Sequence, residues 1–162
     1  MSGTVRSMER KLTSQHPRIG LHVYVAEQDS MPQYDHWEQK REKFYKWIVL
    51  ATIFVEDQPI SKDAFLPKQL DEFIQALRKG VTVISDWPSN SIPGELSICV
   101  FESGGPKLTL TAKAQGKDRW LKWAMWDGWV NLSPLDAIQL VDDLKAGQRV
   151  AEEIMDFLDD MP

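Results

Sequence analysis

The chain has 162 residues, 43% of them hydrophobic, and a formal net charge of −5. This composition excludes a disordered chain and predicts one compact domain, or two small repeats that share a core. No apolar run approaches the roughly 20 residues that cross a bilayer, no signal-peptide pattern opens the sequence, and Cys99 is the single cysteine, so we expect a cytoplasmic protein with no membrane contact.

The acidic excess is confined to the end of the sequence. Residues 151–162 hold five acidic residues and no Lys or Arg, and without them the charges of residues 1–150 cancel. An overall acidic chain would argue against nucleic-acid binding. A neutral body with an acidic tail leaves that function open.

In chain order, the pattern predicts a flexible polar segment over residues 1–18, then strands, and then a first helix. Residues 21–26 alternate between apolar and polar side chains, and residues 44–55 form a long β-branched run. The first helix is expected over residues 67–79, with Gly80 as its C-terminal cap.

The second half repeats this order. Residues 95–102, 107–115 and 119–132 predict an antiparallel meander, and in the first of these strands we expect Leu96, Ile98 and Val100 on one face. A second helix is expected to begin at Ser133 as its N-cap, with Pro134 in its first turn and Gly147 after it.

The two halves superpose as an internal duplication. Pro67 and Gly80 align with Pro134 and Gly147 at an offset of 67 residues. The similar strings of basic and aromatic residues at 43–47 and 119–123 precede the two helices at an offset of 76 residues, so the first copy has about nine extra residues between strand and helix. We therefore predict an α+β fold: a duplicated unit of antiparallel strands followed by one helix, with the helices on one face of the sheet. Residues 19–150 form the domain, with copies at about 19–80 and 94–147.

The sheet face away from the helices is the candidate binding surface. Unpaired bases stack on flat side chains while Lys contacts phosphate, so aromatic and basic residues on an open sheet favour single-stranded nucleic acid. We predict that the rings of Tyr24, Phe44, Phe101, Trp120 and Trp126 and the basic residues Lys46, Lys107, Lys113, Lys117, Arg119 and Lys122 form this site. Trp47 and Trp123 are expected in the core. Two other interpretations stay open, in which the outward rings fill the core margin or form a protein interface.

The duplicated strands-then-helix unit, over about residues 20–150, resembles the Whirly and Pur families of single-stranded nucleic-acid-binding proteins. The resemblance implies that a single strand of nucleic acid would lie along the free sheet face. Residues 155–162 look like the acidic C-terminal tip of bacterial single-stranded DNA-binding proteins, which recruits replication and repair enzymes. That resemblance implies a partner-binding role for Asp156, Phe157, Asp159 and Asp160. Alternatively, Ile154, Phe157 and Leu158 continue the second helix.

Signatures of catalysis are missing from the sequence. It has no phosphate-binding loop, no nucleophile elbow and no metal-ligand spacing among its three His residues. We expect no enzymatic activity, cofactor or metal. The leading interpretation is a non-catalytic protein of phage or bacterial replication or recombination that binds single-stranded DNA or RNA. The alternative is a protein-binding module, such as a bacterial immunity or antitoxin protein or a phage inhibitor of host defence. A homo-oligomer paired through a sheet edge is compatible with either.

Overall fold

The computed structural model describes residues 7–29, 43–87, 94–101, 108–115, 117–124 and 128–160. The first unit consists of β1 (Ser7–Leu12), β2 (Ile19–Asp29), β3 (Lys43–Val55), β4 (Gln58–Phe65) and α1 (Pro67–Asp86). The second unit consists of β5 (Gly94–Phe101), β6 (Leu108–Gln115), β7 (Asp118–Ala124), β8 (Trp129–Leu132) and α2 (Pro134–Asp159).

Each unit forms its own antiparallel sheet of four strands in chain order, β1-β2-β3-β4 and β5-β6-β7-β8. A helix follows each sheet, so the predicted α+β class and the duplicated unit are confirmed. The units are longer than the copies at 19–80 and 94–147 that the sequence indicates. Residues 119–132, predicted as one strand, contain the separate strands β7 and β8.

The N-terminal segment, predicted as flexible, contributes an edge strand. β1 pairs with β2 from Ser7 opposite Ala26 to Leu12 opposite Leu21. Met8 and Leu12 pack against the core, while the residues between them are exposed. An edge strand with one face exposed to solvent has few apolar residues in its pattern, which is why the sequence analysis did not predict β1.

The helices pack crosswise, each mainly on the sheet of the other unit. α1 lies on β5, β6 and β7, α2 lies on β1, β2 and β3, and the two helices also contact each other. The loop before β2 is tied to α2 because the buried carboxylate of Asp143 accepts hydrogen bonds from Ser14 Oγ and the Gln15 backbone N–H, both at 3.0 Å. The buried apolar residues of both units form a single cluster, so neither unit has a complete core by itself.

Gly80 and Gly147 lie inside the helices, so the predictions that Gly80 caps the first helix and that Gly147 follows the second are wrong. α1 continues to Asp86 and α2 to Asp159. A Cβ at Gly80 would lie 2.8 Å from both Cδ atoms of Leu121 on β7, and one at Gly147 would lie 3.4 Å from Val49 Cγ2 on β3. The two glycines therefore allow a helix to approach the third strand of the opposite sheet, which is the same role in both copies.

The start of α2 follows the prediction. Ser133 is the N-cap, its Oγ accepts a hydrogen bond from the Asp136 backbone N–H at 3.0 Å, and the Asp136 carboxylate accepts one from the Ser133 N–H at 3.1 Å. Both bonds satisfy amide groups that would otherwise lack partners in the first turn.

The acidic end of the chain is part of α2 and not a detached tail. The helix runs without interruption to Asp159, and Ala151, Ile154 and Leu158 are buried in the core. Glu153 lies 3.9 Å from Arg10 on β1. Helix continuation is therefore the alternative that the structure adopts, and Met161 and Pro162 lie outside the described residues.

Two further predictions concern the tryptophans of the core and the faces of strand β5. Trp47 and Trp123 are buried as predicted, and Trp123 packs against Phe73 with ring centroids 5.1 Å apart. The prediction for β5 is wrong, because the register shifts between Ser97 and Cys99. Leu96 pairs with Ala112 and Val100 with Thr109, so the strict alternation that the prediction assumed is interrupted between them, and the side chain of Val100 lies outside the described part of the structure.

Candidate nucleic-acid interface

The outer face of the second sheet is built from side chains that alternate with the core. In β6, Leu108, Leu110 and Ala112 are buried, whereas Thr109, Thr111 and Lys113 are half-buried on the other face. The register continues this face across the sheet. Lys113 pairs with Trp120, Thr111 with Lys122, and Thr109 with Ala124.

β8 adds a tryptophan that the sequence analysis did not select. Val130 and Leu132 are buried, so alternation turns Trp129 outward, where it is 49% exposed. Trp129 pairs with Ala124, and Lys122 Nζ lies 5.0 Å from the centre of its ring. This distance is typical of a cation–π contact. The alternation of residues 129–132 could have identified Trp129, had β7 and β8 been recognised as separate strands.

We use the name β6–β8 face for the surface formed by Lys113, Trp120, Lys122 and Trp129. Trp120 lies four residues along β7 from Ala124, the partner of Trp129. At about 3.4 Å per residue, the backbone positions of the two tryptophans are roughly 14 Å apart along the strand direction. Lys122 lies between them, so the basic and aromatic groups alternate along the face.

Trp120 borders an open groove at one end of this face. The groove has a volume of about 340 Å³ and is lined by Gly94, Glu95, Lys113, Ala114, Gln115 and Trp120. Lys113 Nζ lies 3.6 Å from the Glu95 carboxylate, and the side chain of Glu95 is 68% exposed. Because an exposed ion pair contributes little, Lys113 can exchange this carboxylate for a phosphate at small cost.

Arg18 anchors the Trp129 end of the face. Its guanidinium donates to the Phe54 backbone oxygen at 3.0 Å and to the Trp129 backbone oxygen at 3.2 Å. Because Phe54 belongs to β3 and Trp129 to β8, these bonds fix the end of the second sheet against the first. They also bring a further positive charge next to Trp129.

The outer face of the first sheet is less suited to an oligonucleotide. Tyr24 stacks on His22 with ring centroids 4.3 Å apart, so one face of the Tyr24 ring is already covered. His22 Nε2 lies 3.6 Å from the Glu9 carboxylate. Tyr24 and Lys46 line a groove of about 510 Å³ that also contains Glu9 and largely apolar neighbours. Each groove contains one carboxylate, Glu9 here and Glu95 beside Trp120, so the covered Tyr24 ring is the difference that leaves the β6–β8 face as the stronger candidate.

The remaining predicted site residues divide into described and undescribed positions. Lys117 is exposed at the turn before β7, and Arg119 is half-buried beside it. Phe44 pairs with Gln28, and Phe101 with Leu108. The side chains of Phe44 and Phe101 lie outside the described part of the structure, as do Lys107 and Trp126 entirely.

The predicted partner-binding residues lie at the end of α2. Asp156, Phe157, Asp159 and Asp160 are exposed, and the Phe157 side chain is 55% accessible although it belongs to a helix with a buried face. They therefore form a helical surface rather than an extended peptide.

Metal and membrane chemistry find no support in the described residues. No three His, Cys, Asp or Glu side chains in those ranges lie close enough together to hold a metal ion. Neither α1 nor α2 combines the length and apolar character that a membrane-spanning helix requires.

No protein family model matches the chain, and no similar curated protein or solved structure is found.

Proposed function

We propose that the protein binds single-stranded DNA or RNA on the β6–β8 face, without catalysing a reaction. The observation that carries the proposal is the exposed Trp129 ring with the Lys122 ammonium 5.0 Å from its centre, on the same face as Trp120. Unpaired bases stack on such rings, and nearby Lys side chains contact the phosphates between them.

The aromatic and the basic residues of the face have different roles in this proposal. Trp120 and Trp129 provide stacking surfaces for two bases, while Lys113 and Lys122 contact phosphates. Lys122 leaves the Trp129 ring when a base replaces it, and its ammonium then gains a phosphate partner. Recognition depends on base planes and charge rather than on base edges, so we expect little sequence preference. We place the protein in the cytoplasm, in replication or recombination.

The proposal is tested by the affinity of the protein for a labelled oligothymidine, measured by fluorescence anisotropy. Stacking contributes about 1–3 kcal/mol per base, so Trp120→Ala and Trp129→Ala should each weaken binding roughly 5- to 150-fold. Lys122→Ala should reduce the magnitude of the slope of log affinity against log salt by about 0.7, the value for one phosphate contact on a single strand. Phe157→Ala removes an exposed ring on α2 and serves as the matched control, which should bind like the wild type. A wild-type protein that fails to bind at low salt would contradict the proposal.

A protein-binding role is the second candidate, and the exposed end of α2 supports it. Phe157 is a large apolar side chain among the exposed acids Asp156, Asp159 and Asp160. A ring surrounded by carboxylates suits a partner with an apolar pocket and a basic rim. If the protein fails to bind oligonucleotides, this surface becomes the leading candidate site.

A further inference from the structure

An open apolar groove separates the C-terminal half of α1 from the N-terminal half of α2. It has a volume of about 370 Å³ and is lined by Arg78, Val81, Thr82, Ile138, Val141 and Asp142. The Ile138 side chain is 48% exposed, and that of Leu135, one turn earlier in α2, is 63% exposed. We call this surface the α1–α2 groove.

The duplication supplies an internal comparison for this surface. At the offset of 67 residues that superposes the two helices, Ile138 corresponds to Asp71 and Val81 to Gln148. Asp71 and Gln148 meet where the N-terminal half of α1 contacts the C-terminal half of α2, which we call the second crossing. There, Gln148 Nε2 donates a hydrogen bond to Asp71 Oδ1 at 3.1 Å. The same position in the fold is thus polar and paired in one copy but apolar and exposed in the other.

The contrast extends to the neighbouring positions. Leu135 corresponds to Lys68 and Thr82 to Arg149, so the second crossing carries charged side chains where the α1–α2 groove carries an exposed leucine and a threonine. Polar residues therefore fit these helix positions without disturbing the fold. The exposed apolar residues Leu135 and Ile138 are therefore not required by the helix crossing itself, and adjacent exposed apolar side chains are typical of an interaction surface.

We propose that a second copy of this chain occupies the α1–α2 groove and forms a two-fold symmetric dimer. The charges that border the groove support this occupant. Arg78 lies on the α1 side and Asp142 on the α2 side, and both are exposed. Neither has an ion pair with another described residue. A two-fold axis along the groove lays α1 of one copy over α2 of the other, so each Arg78 faces Asp142 of the second copy.

A two-fold symmetric interface requires a surface that complements itself, because the same surface of both copies forms the contact. The groove satisfies this condition. Val81 and Ile138 are apolar residues of its lining, the exposed Leu135 lies one helical turn before Ile138, and one basic and one acidic residue lie on opposite sides. A basic or acidic partner protein would match only one of these two charges. The dimer does not depend on the proposed nucleic-acid function, since the groove is formed by the helices and the β6–β8 face by the strands.

The test is the molecular mass in solution, measured by sedimentation velocity without nucleic acid at protein concentrations up to about 100 μM, where a dimer with a micromolar Kd would be mostly associated. We expect a wild-type dimer. Ile138→Asp with Leu135→Lys introduces the residue types of the second crossing, and this variant should be a monomer with unchanged circular dichroism. Gln148→Ala at that second crossing is the control and should remain dimeric.

The charge pair distinguishes a second copy from any other arrangement. Arg78→Asp alone or Asp142→Arg alone places like charges opposite each other at two symmetric positions and should weaken the dimer by roughly 5-fold. The double variant Arg78→Asp/Asp142→Arg restores opposite charges and should regain the wild-type association. A monomeric wild type overturns the proposal. So does a dimer that is unaffected by the groove substitutions, or one that the double charge exchange does not restore.

Discussion

At the residue scale, Asp63 stands out because its carboxylate lies on the core side of β4. It pairs with buried Ala51, and its Oδ2 is buried with no hydrogen-bond partner among the described residues. Burial raises the pKa of Asp63 to about 6, although a hydrogen bond from the backbone N–H of Ala64 opposes the shift. The folded protein therefore favours the protonated carboxyl more strongly than the unfolded chain does.

This shift predicts a pH-dependent stability. The contribution of Asp63 is fully present below its unfolded pKa of 3.8 and is lost as the pH rises through about 6. Asp63→Asn should therefore raise the free energy of unfolding at pH 8 by about 1–2 kcal/mol, allowing for the partial exposure of the group. At pH 4 the substitution should have little effect.

Urea unfolding of the wild type and of Asp63→Asn across this pH range measures the difference. Glu72→Gln neutralises an exposed carboxylate on α1 and is the control for the loss of one negative charge. Equal stabilities of Asp63→Asn and the wild type at pH 8 would show that Asp63 does not resist ionisation.

At the element scale, the crosswise packing of the helices depends on one close approach more than on the other. A Cβ at Gly80 would meet both Cδ atoms of Leu121 at 2.8 Å, and Leu121 is fully buried and cannot move aside. At Gly147 the nearest atom would be Val49 Cγ2 at 3.4 Å, which is close to an ordinary contact. The duplicated glycines thus provide a matched pair with opposite expectations.

Gly80→Ala should destabilise the protein and Gly147→Ala should stabilise it. Alanine gains about 1 kcal/mol over glycine in a helix. At Gly80 this gain is outweighed by overpacking, which costs about 1–3 kcal/mol. Thermal unfolding measures both variants, and about 1 kcal/mol corresponds to roughly 2–4 °C in a protein of this size.

A double-mutant cycle tests which sheet α1 covers. Combining Gly80→Ala with Leu121→Val removes a methylene from the residue that the new methyl group would strike. The two changes should then be non-additive by about 1 kcal/mol. Strict additivity would contradict the contact between α1 of the first unit and β7 of the second.

At the scale of the whole molecule, the sequence predicted the layout of the duplicated units but not how they combine. The strands-then-helix order follows from local periodicity, as do the capped start of α2 and the buried Trp123. The exchange of helices between sheets depends on contacts between distant parts of the chain, which local periodicity cannot show. The same limit explains Gly80 and Gly147, because a glycine near a predicted helix end resembles a cap until the opposite strand is known.

The candidate site was predictable to a similar extent. Alternation along β6 and β7 placed Lys113, Trp120 and Lys122 on one face, and the register brings them side by side. Trp129 was missed because residues 119–132 were interpreted as one strand, which hid the alternation within β8. The conformation of the acidic end also required the structure, since its apolar residues could continue a helix or interrupt a free tail.

The most direct test of the account is to locate a bound oligonucleotide by photo-crosslinking. An oligonucleotide that carries iodouracil in place of thymine is irradiated in complex with the protein, and the modified residues are identified by mass spectrometry. Crosslinks to Trp120 or Trp129, reduced by excess unlabelled oligothymidine, are the predicted result. Binding with crosslinks confined to α1 and α2, or to the outer face of the first sheet, would contradict the claim that the β6–β8 face is the nucleic-acid site.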